Sequence, residues 1–302
     1  MTQPTNDTEV SIVGLGPMGS ALAQAYLDKG RSLTVWNRTQ GKADVLVSKG
    51  ARRASTAGEA VAASPVTIVC VNDYPTVYQV FESVSAELRG RVLVNLTSGT
   101  PEEARTASAW ADERGFGHLD GAIMVPPPLV GRPEAVFLYS GTRDVFDRSR
   151  HVLDDLGDPR YLGADPGLAV LFNTAMLEMM YTTVNGFLHA AALVGASGVP
   201  AAEFAELALG WFMPTVLDPE GLAEQAPNLD EGVYPGELGT MEMNMNALEH
   251  IVRTSSEQGV DTGQPRLLKD LAERAIARGH GSHNYFAVFE VFKADAGGRS
   301  AR

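Results

Sequence analysis

Gly14, Gly16 and Gly19 are spaced Gly-x-Gly-x-x-Gly between an apolar, β-branched run at 10–13 and a segment opening with Pro17. That spacing suits a strand-to-helix turn over a dinucleotide pyrophosphate. The first glycine permits the turn, the second lets backbone approach the phosphates, the third lets helix pack on strand, and the helix N-terminus offers unpaired N–H donors. Leu15, Pro17 and Met18 complete the turn. A second strand, expected at 32–36, runs into Asn37, Arg38 and Thr39, with Lys42 following. A carboxylate there would bind a ribose 2′-hydroxyl and repel a 2′-phosphate. Arg38 and Lys42 attract a phosphate, and Asn37 and Thr39 can donate further hydrogen bonds to it. These residues imply NADPH; the plainer alternative is a pair of ordinary surface cations at a helix start.

The elements that must hold this turn follow from the pattern around it. Apolar runs at 10–13, 32–36, 66–71, 91–95 and 118–124 alternate with helical patterns, a βαβ series that predicts a mostly parallel, doubly wound sheet of Rossmann type. Runs at 135–139 and 160–162, with a helix near 143–156, extend it. Ligand binds at the carboxyl ends of such strands, which singles out Val71 and Asn72 in one loop and Thr97 and Ser98 in another. Thr97 and Ser98 can hydrogen-bond the nicotinamide or a substrate; equally, as turn hydroxyls they can cap a helix starting at Pro101.

A chain of 302 residues predicts about two domains. We place the dinucleotide-binding domain at 1–163, with 1–9 a disordered lead-in. A long helix and an all-helical domain occupy 164–294, and 295–302 form a disordered tail. The formal charge of −13 and the absence of a basic stripe argue against nucleic acid as a partner. One cysteine, Cys70, excludes an intrachain disulfide and fits a reducing compartment, and no signal peptide is legible, so a cytoplasmic location is expected. No charged residue occurs between Glu178 and Glu203, but Thr182, Asn185, Gly186, His189, Gly195 and Ser197 make that stretch too polar for a membrane span.

Asp165-Pro166 reads as an N-cap with proline at the first helical position, and no proline recurs before Pro200. A helix of about thirty residues would reach ~45 Å, longer than a small domain is wide. It is apolar nearly all round and so must be buried, yet only helical segments near 200–217, 236–258, 264–278 and 282–292 remain to cover it. A second copy would do so, which predicts a homodimer with intertwined helical domains and a cleft shared between subunits. A long helix within a monomeric bundle is the alternative.

Over nearly its whole length the chain resembles the β-hydroxyacid dehydrogenase superfamily. Within it, the sequence is similar to the imine reductases and reductive aminases. The matching elements are the glycine turn, Trp36-Asn37-Arg38-Thr39, Asn95-Leu96-Thr97-Ser98-Gly99-Thr100-Pro101, Ala122-Ile123-Met124-Val125-Pro126-Pro127 and Gly186-Phe187-Leu188-His189-Ala190. The superfamily carries a catalytic lysine early in the long helix; here no lysine occurs between Lys49 and Lys269. The resemblance implies Asp or Tyr at the position of Asn173, so Asn173 is a departure, since a carboxamide has no dissociable proton near neutral pH. It also implies an aromatic residue at Tyr181.

The chemistry can be reasoned separately. Hydride added to a carbonyl builds oxyanion charge and needs an acid, whereas a protonated imine already carries the charge that hydride removes. A lysine-free site with a neutral Asn173 suits an iminium. For a neutral imine the proton would come from Tyr181 or from a water held by Asn173. Otherwise Tyr181 packs in a dimer core and Asn173 bonds a backbone carbonyl. Leu177 and Met180 share a helix face with Asn173, and Met124, Trp211, Phe212, Met241 and Met245 are further candidates for an apolar substrate pocket. Met and aromatic residues at helical spacing are also ordinary core. His189, His250, His280 and Cys70 show no ligand spacing, so no metal is expected and His189 reads as a satisfied core histidine. The function expected is NADPH-dependent reduction of small-molecule imines, with reductive amination of ketones. Two alternatives stand beside it: a β-hydroxyacid dehydrogenase using another base, and a non-catalytic NADPH-binding dimer.

Overall fold

The computed structural model describes residues 8–216 and 218–293. Among these the chain forms two compact units that divide between Met179 and Met180. The first is built on a sheet of β1 (Val10–Val13), β2 (Leu33–Trp36), β3 (Arg52–Arg53), β4 (Val66–Val69), β5 (Val92–Asn95), β6 (Gly117–Ile123), β7 (Val136–Gly141) and β8 (Asp158–Gly163). The strand order is β3-β2-β1-β4-β5-β6-β7-β8, and every pairing is parallel except β6 with β7. Strand order reverses between β1 and β4, which opens the ligand crevice at their carboxyl ends.

Period-two burial explains why these runs are strands covered on both faces. Val10 and Ile12 of β1, Val66 and Ile68 of β4, and Val92 and Val94 of β5 enter one core with Leu22, Tyr26 and Phe137. Val13, Val69 and Leu93 enter the other with Phe81, Trp110 and Phe116. The covering helices are α1 (Pro17–Asp28), α2 (Asp44–Ser48), α3 (Ala57–Ala62), α4 (Tyr74–Phe81), α5 (Ser85–Leu88), α6 (Pro101–Arg114) and α7 (Arg143–Leu153). The two-residue strand β3 is not expected from sequence, because Arg52 and Arg53 carry no apolar pattern.

The last two residues of the expected lead-in are ordered. The Thr8 N–H donates to the Ala63 carbonyl at 2.7 Å, and Glu9 pairs with Arg31 at 2.7 Å and accepts the Ser32 N–H. Residues 1–7 and the expected tail at 295–302 lie outside the described residues.

The long helix α8 (Leu168–Gly195) starts where its sequence signals place it. Asp165 accepts the Gly167 N–H at 3.0 Å and takes Arg105 of α6 bidentately at 2.9 and 2.8 Å. The Ser140 hydroxyl donates to the Pro166 carbonyl and accepts the Ala169 N–H. The chain itself leaves α8 uncovered: Leu171, Phe172, Met176 and Leu177 are 40–47% exposed. No helix among the described residues is long and apolar enough to cross a membrane.

The second unit is helical, with α9 (Ala201–Leu207), a π-helical turn at Ala208–Phe212, α10 (Met213–Val216), α11 (Pro219–Glu231), α12 (Met241–Glu257), α13 (Gly263–Ala275) and α14 (Phe289–Lys293). Its core gathers Tyr234, Met241, Leu248, Leu271 and Val288. α11 was not expected, although Asp218-Pro219 is the same start signal as at α8: Asp218 accepts the Glu220 and Gly221 N–H groups. Pro227 lies inside α11. The segment expected as a helix at 282–292 is a short 3₁₀ turn, Tyr285–Val288, leading into α14.

Helix α6 begins in a capping box. The Thr100 hydroxyl accepts the Glu103 N–H at 3.3 Å, and the Glu103 carboxylate accepts the Thr100 N–H at 2.8 Å. Replacing Thr100 by Ala is expected to lower unfolding free energy by about 1 kcal/mol, and Thr100→Ser to restore most of it. Urea unfolding followed by circular dichroism measures this; equal stability of the Ala and Ser variants contradicts it.

Candidate cofactor groove and active site

At the switch point the backbone comes closer than side chains allow. Gly14 has φ of +97°, and a Cβ there would collide with the Cys70 carbonyl oxygen. A Cβ on Gly19 would collide with the Gly14 carbonyl. Gly16 faces open space, and helix α1 starting after it has no side-chain cap, so its first N–H groups are left for a ligand. Tight at Gly14 and Gly19 and open at Gly16, the turn has a shape that fits a pyrophosphate. Leu15, Pro17 and Met18 line the same groove, whose volume is about 1000 Å³. The Leu15 N–H donates to Asn37 Oδ1 at 2.9 Å and ties the turn to the end of β2.

Arg38, Thr39 and Lys42 lie exposed on the groove wall, and neither cation pairs with a carboxylate among the described residues. They are available for a 2′-phosphate. Asn37 also lines the groove, but its amide is engaged on both sides, with Nδ2 donating to the Thr39 carbonyl at 3.0 Å. It braces the turn. The groove also takes in Ser55, Thr56, Gly58, Gln79, Ser83 and Glu87, which sequence reasoning missed. Their only signal was the Thr56 cap of α3, whose hydroxyl accepts the Glu59 N–H.

Val71 and Asn72 line the groove beyond β4, as does Cys70, whose thiol is pushed up to about 11 by burial and stays protonated. Thr97 is buried and its hydroxyl accepts the Val71 N–H at 3.2 Å, while Ser98 is exposed. The helix-capping alternative for these two falls to Thr100 instead. Behind them lies a buried polar group. Asp120 Oδ2 accepts from the Tyr74 hydroxyl at 2.8 Å and from Asn95 Nδ2 at 3.2 Å. Burial pushes this carboxyl up to about 7 against the hydrogen bonds of Tyr74, Asn95 and the Gly121 N–H, which favour its charged form. Burial also drives the Tyr74 phenol far above its usual range and His118 down to about 4.

On α8, Asn173 is half-buried and its carboxamide makes no hydrogen bond within the described residues. Leu177 is 40% exposed. In the second unit Met180, Tyr181, Trp211 and Phe212 are exposed, at 46%, 61%, 56% and 45%. Met124 is half-buried beside Ala122, Leu138 and Ala169. Met241 is a correction: its side chain is fully buried in the core of the helical unit, with Met245 packed against that core, so Met241 offers no pocket wall. Sequence spacing put it on a helix face without saying which face. His189 has a partner, its Nε2 at 2.9 Å from the Asp261 carbonyl, but it is only half-buried and so is not the core histidine expected. No group of three or more potential ligands among the described residues could hold a metal ion.

Residues 165–294 match the family model described as NADPH-dependent reductive aminase-like, C-terminal domain. Residues 9–169 match that of the NAD binding domain of 6-phosphogluconate dehydrogenase. The chain is 37% identical over 286 residues to the NADPH-dependent reductive aminase of Aspergillus oryzae, covering 94% of this chain and 97% of that protein. An imine reductase structure from Bacillus cereus BAG3X2 superposes with a TM-score of 0.87 at 40% identity, over 94% of this chain and 99% of that one. A reductive aminase from Aspergillus terreus in complex with NADPH4, cyclohexanone and allyl amine gives 0.86 at 40% identity over the same shares.

Charge reversal at Arg38 tests the phosphate side of the groove. Arg38→Glu is expected to weaken NADPH binding about tenfold or more, the loss of a charge-assisted contact of ~1.5–3 kcal/mol. NADH binding should move far less. Fluorescence titration with both nucleotides measures this, and equal weakening of the two contradicts the assignment.

Proposed function

The chain belongs to the NADPH-dependent imine reductase and reductive aminase family, and on that premise we propose that it reduces the C=N bond of imines and iminium ions to amines. Cyclic imines are the substrate class we expect first, with reductive amination of ketones by small amines as a second use. The observation that carries this reading is the pairing of an NADPH-type groove with a long helix that has no lysine and a neutral Asn173.

When bound, the cofactor supplies hydride. The chain's own residues bind, orient and handle protons. The glycine turn and the free N–H groups of α1 hold the pyrophosphate, and Arg38 and Lys42 hold the 2′-phosphate. An alcohol dehydrogenase of this superfamily needs its lysine to serve a hydroxyl, and this helix has none. An iminium needs no proton as hydride arrives, so Asn173 can face it without a charge of its own. A neutral imine needs one, and we assign its delivery to the Tyr181 phenol or to a water held by Asn173. Leu177, Met180, Met124, Trp211 and Phe212 are our candidates for the apolar substrate wall.

We further infer a homodimer. Nine large apolar or aromatic residues of α8, from Leu171 to Leu188, are 40–69% exposed, a stripe far larger than scattered surface hydrophobics require. A second copy, contributing helices to a shared cleft, would cover it. A cytoplasmic location accords with a sequence whose single cysteine, Cys70, excludes an intrachain disulfide.

NADPH consumption with a cyclic imine is the first test, run beside NADP⁺ reduction with 3-hydroxy acids. Turnover of hydroxy acids alone would sink the reading in favour of a dehydrogenase, and tight NADPH binding with neither turnover would favour a non-catalytic dimer. Tyr181→Phe and Asn173→Ala should together lower kcat on a neutral imine by about 10²-fold or more. A permanently charged N-alkyl iminium should be nearly spared; equal losses on both substrates remove the proton-delivery role. Light scattering should return twice the 32.2 kDa chain mass.

A further inference from the structure

A dinucleotide on a doubly wound sheet lies across the switch point, with one mononucleotide half on each side. Arg38 and Lys42 mark the β1–β2 side as the adenosine half, which leaves the nicotinamide half to the ends of β4, β5 and β6. Side chains tie those three strand ends together. Asp120 on β6 is fully buried opposite Asn95 on β5, and accepts from Asn95 Nδ2 at 3.2 Å. Asn95 Oδ1 accepts the Thr97 N–H at 3.1 Å, and the Thr97 hydroxyl accepts the Val71 N–H beyond β4 at 3.2 Å.

The far end of the same loop rests on the same carboxylate. A side chain on Gly99 would collide with the ring of Tyr74, so loop and ring are in direct contact. That ring packs with Ala104, Ala107 and Val170, and its hydroxyl ties it to Asp120 Oδ2 at 2.8 Å. Both ends of the 95–99 loop therefore converge on one buried oxygen. An apolar residue of similar size would avoid the desolvation of a carboxyl but would release both donors.

We propose that Asp120 is a positioning residue for the nicotinamide half of the cofactor, holding the 95–99 loop at both ends and, through Thr97, the Val71 turn. This rests on the NADPH-dependent reduction proposed above. The test uses the full chain with Asp120→Leu, Asp120→Asn and Tyr74→Phe. Its readouts are circular dichroism, affinity for 2′,5′-ADP as a probe of the adenosine half alone, anisotropy of bound dihydronicotinamide fluorescence, and kcat on a cyclic imine.

Asp120→Leu and Tyr74→Phe should hold 2′,5′-ADP within about twofold of wild type, lower the anisotropy of bound NADPH, and reduce kcat by about 10- to 100-fold through misplacement of the reacting ring. Asp120→Asn keeps an oxygen that accepts both donors and should recover most of what Asp120→Leu loses. Wild-type anisotropy in folded variants overturns the proposal. So does a loss of 2′,5′-ADP affinity in step with NADPH, which is general damage to the fold. If Asp120→Leu does not fold, Tyr74→Phe decides, since it removes only the hydroxyl that ties the ring beneath Gly99 to Asp120. If wild type turns over no imine, the proposed reaction fails while anisotropy still decides the role of Asp120.

Discussion

Backbone atoms of Gly14 and Gly19 pack so closely that no side chain fits between them, and the Cys70 carbonyl closes the same junction from β4. This contact of β1, α1 and β4 is what the remaining geometry depends on. It aims the free N–H groups of α1 into the crevice, and it sets the distance between Arg38 on one side of the switch point and Val71 on the other. Asn37 makes the junction stiffer by joining the Leu15 N–H to the end of β2. A chain of net charge −13 thus presents a local donor-rich and cationic surface suited to an anionic dinucleotide.

The polar group under this floor shows how the fold meets a cost to keep a geometry. Asp120 at about 7 and His118 at about 4 are both moved toward their neutral forms by burial. Folded Asp120 keeps a proton that the unfolded chain has released, so its cost to stability grows as pH rises from the ordinary carboxylate range through about 7 and is complete above it. Folded His118 lacks a proton that the unfolded chain takes up, so its cost grows as pH falls from the ordinary imidazole range through about 4. The two are least costly in different windows. Hydrogen bonds from Tyr74 and Asn95 offset part of the burial of Asp120 and leave the 95–99 loop held from beneath.

Helix α8 links fold to reaction in a different way. Its start is fixed by Arg105, Asp165 and Ser140, a set of charge-assisted and backbone bonds that anchors the first turn to the dinucleotide-binding unit. Beyond that turn, through Tyr181, its only charged residue is Glu178, and Asn173 and Thr174 are polar among mostly apolar side chains. On the proposed reading, the absence of lysine and the presence of Asn173 remove the group that alcohol oxidation would use, and suit a cationic C=N group that loses charge as it is reduced.

Local signals in the sequence determined a good deal. The glycine turn, the cations after β2, the both-face apolar strands and the Asp165-Pro166 helix start are each written in a few adjacent residues, because the interactions they predict are local: a backbone angle, an unpaired N–H, a charge at a strand end. The same reading missed β3, whose two arginines carry no pattern, and α11, despite its Asp218-Pro219 start signal. Met241 was misplaced because helical spacing gives a face but not what that face meets. Tyr74, Asn95 and Asp120 could not be connected from sequence at all, being separated by 25 and 46 positions. They meet because the order of strands sets β6 beside β5 and α4 over their ends. Tertiary structure alone decides which distant polar groups share a buried oxygen, since desolvation and hydrogen bonding act only once packing has excluded water between them.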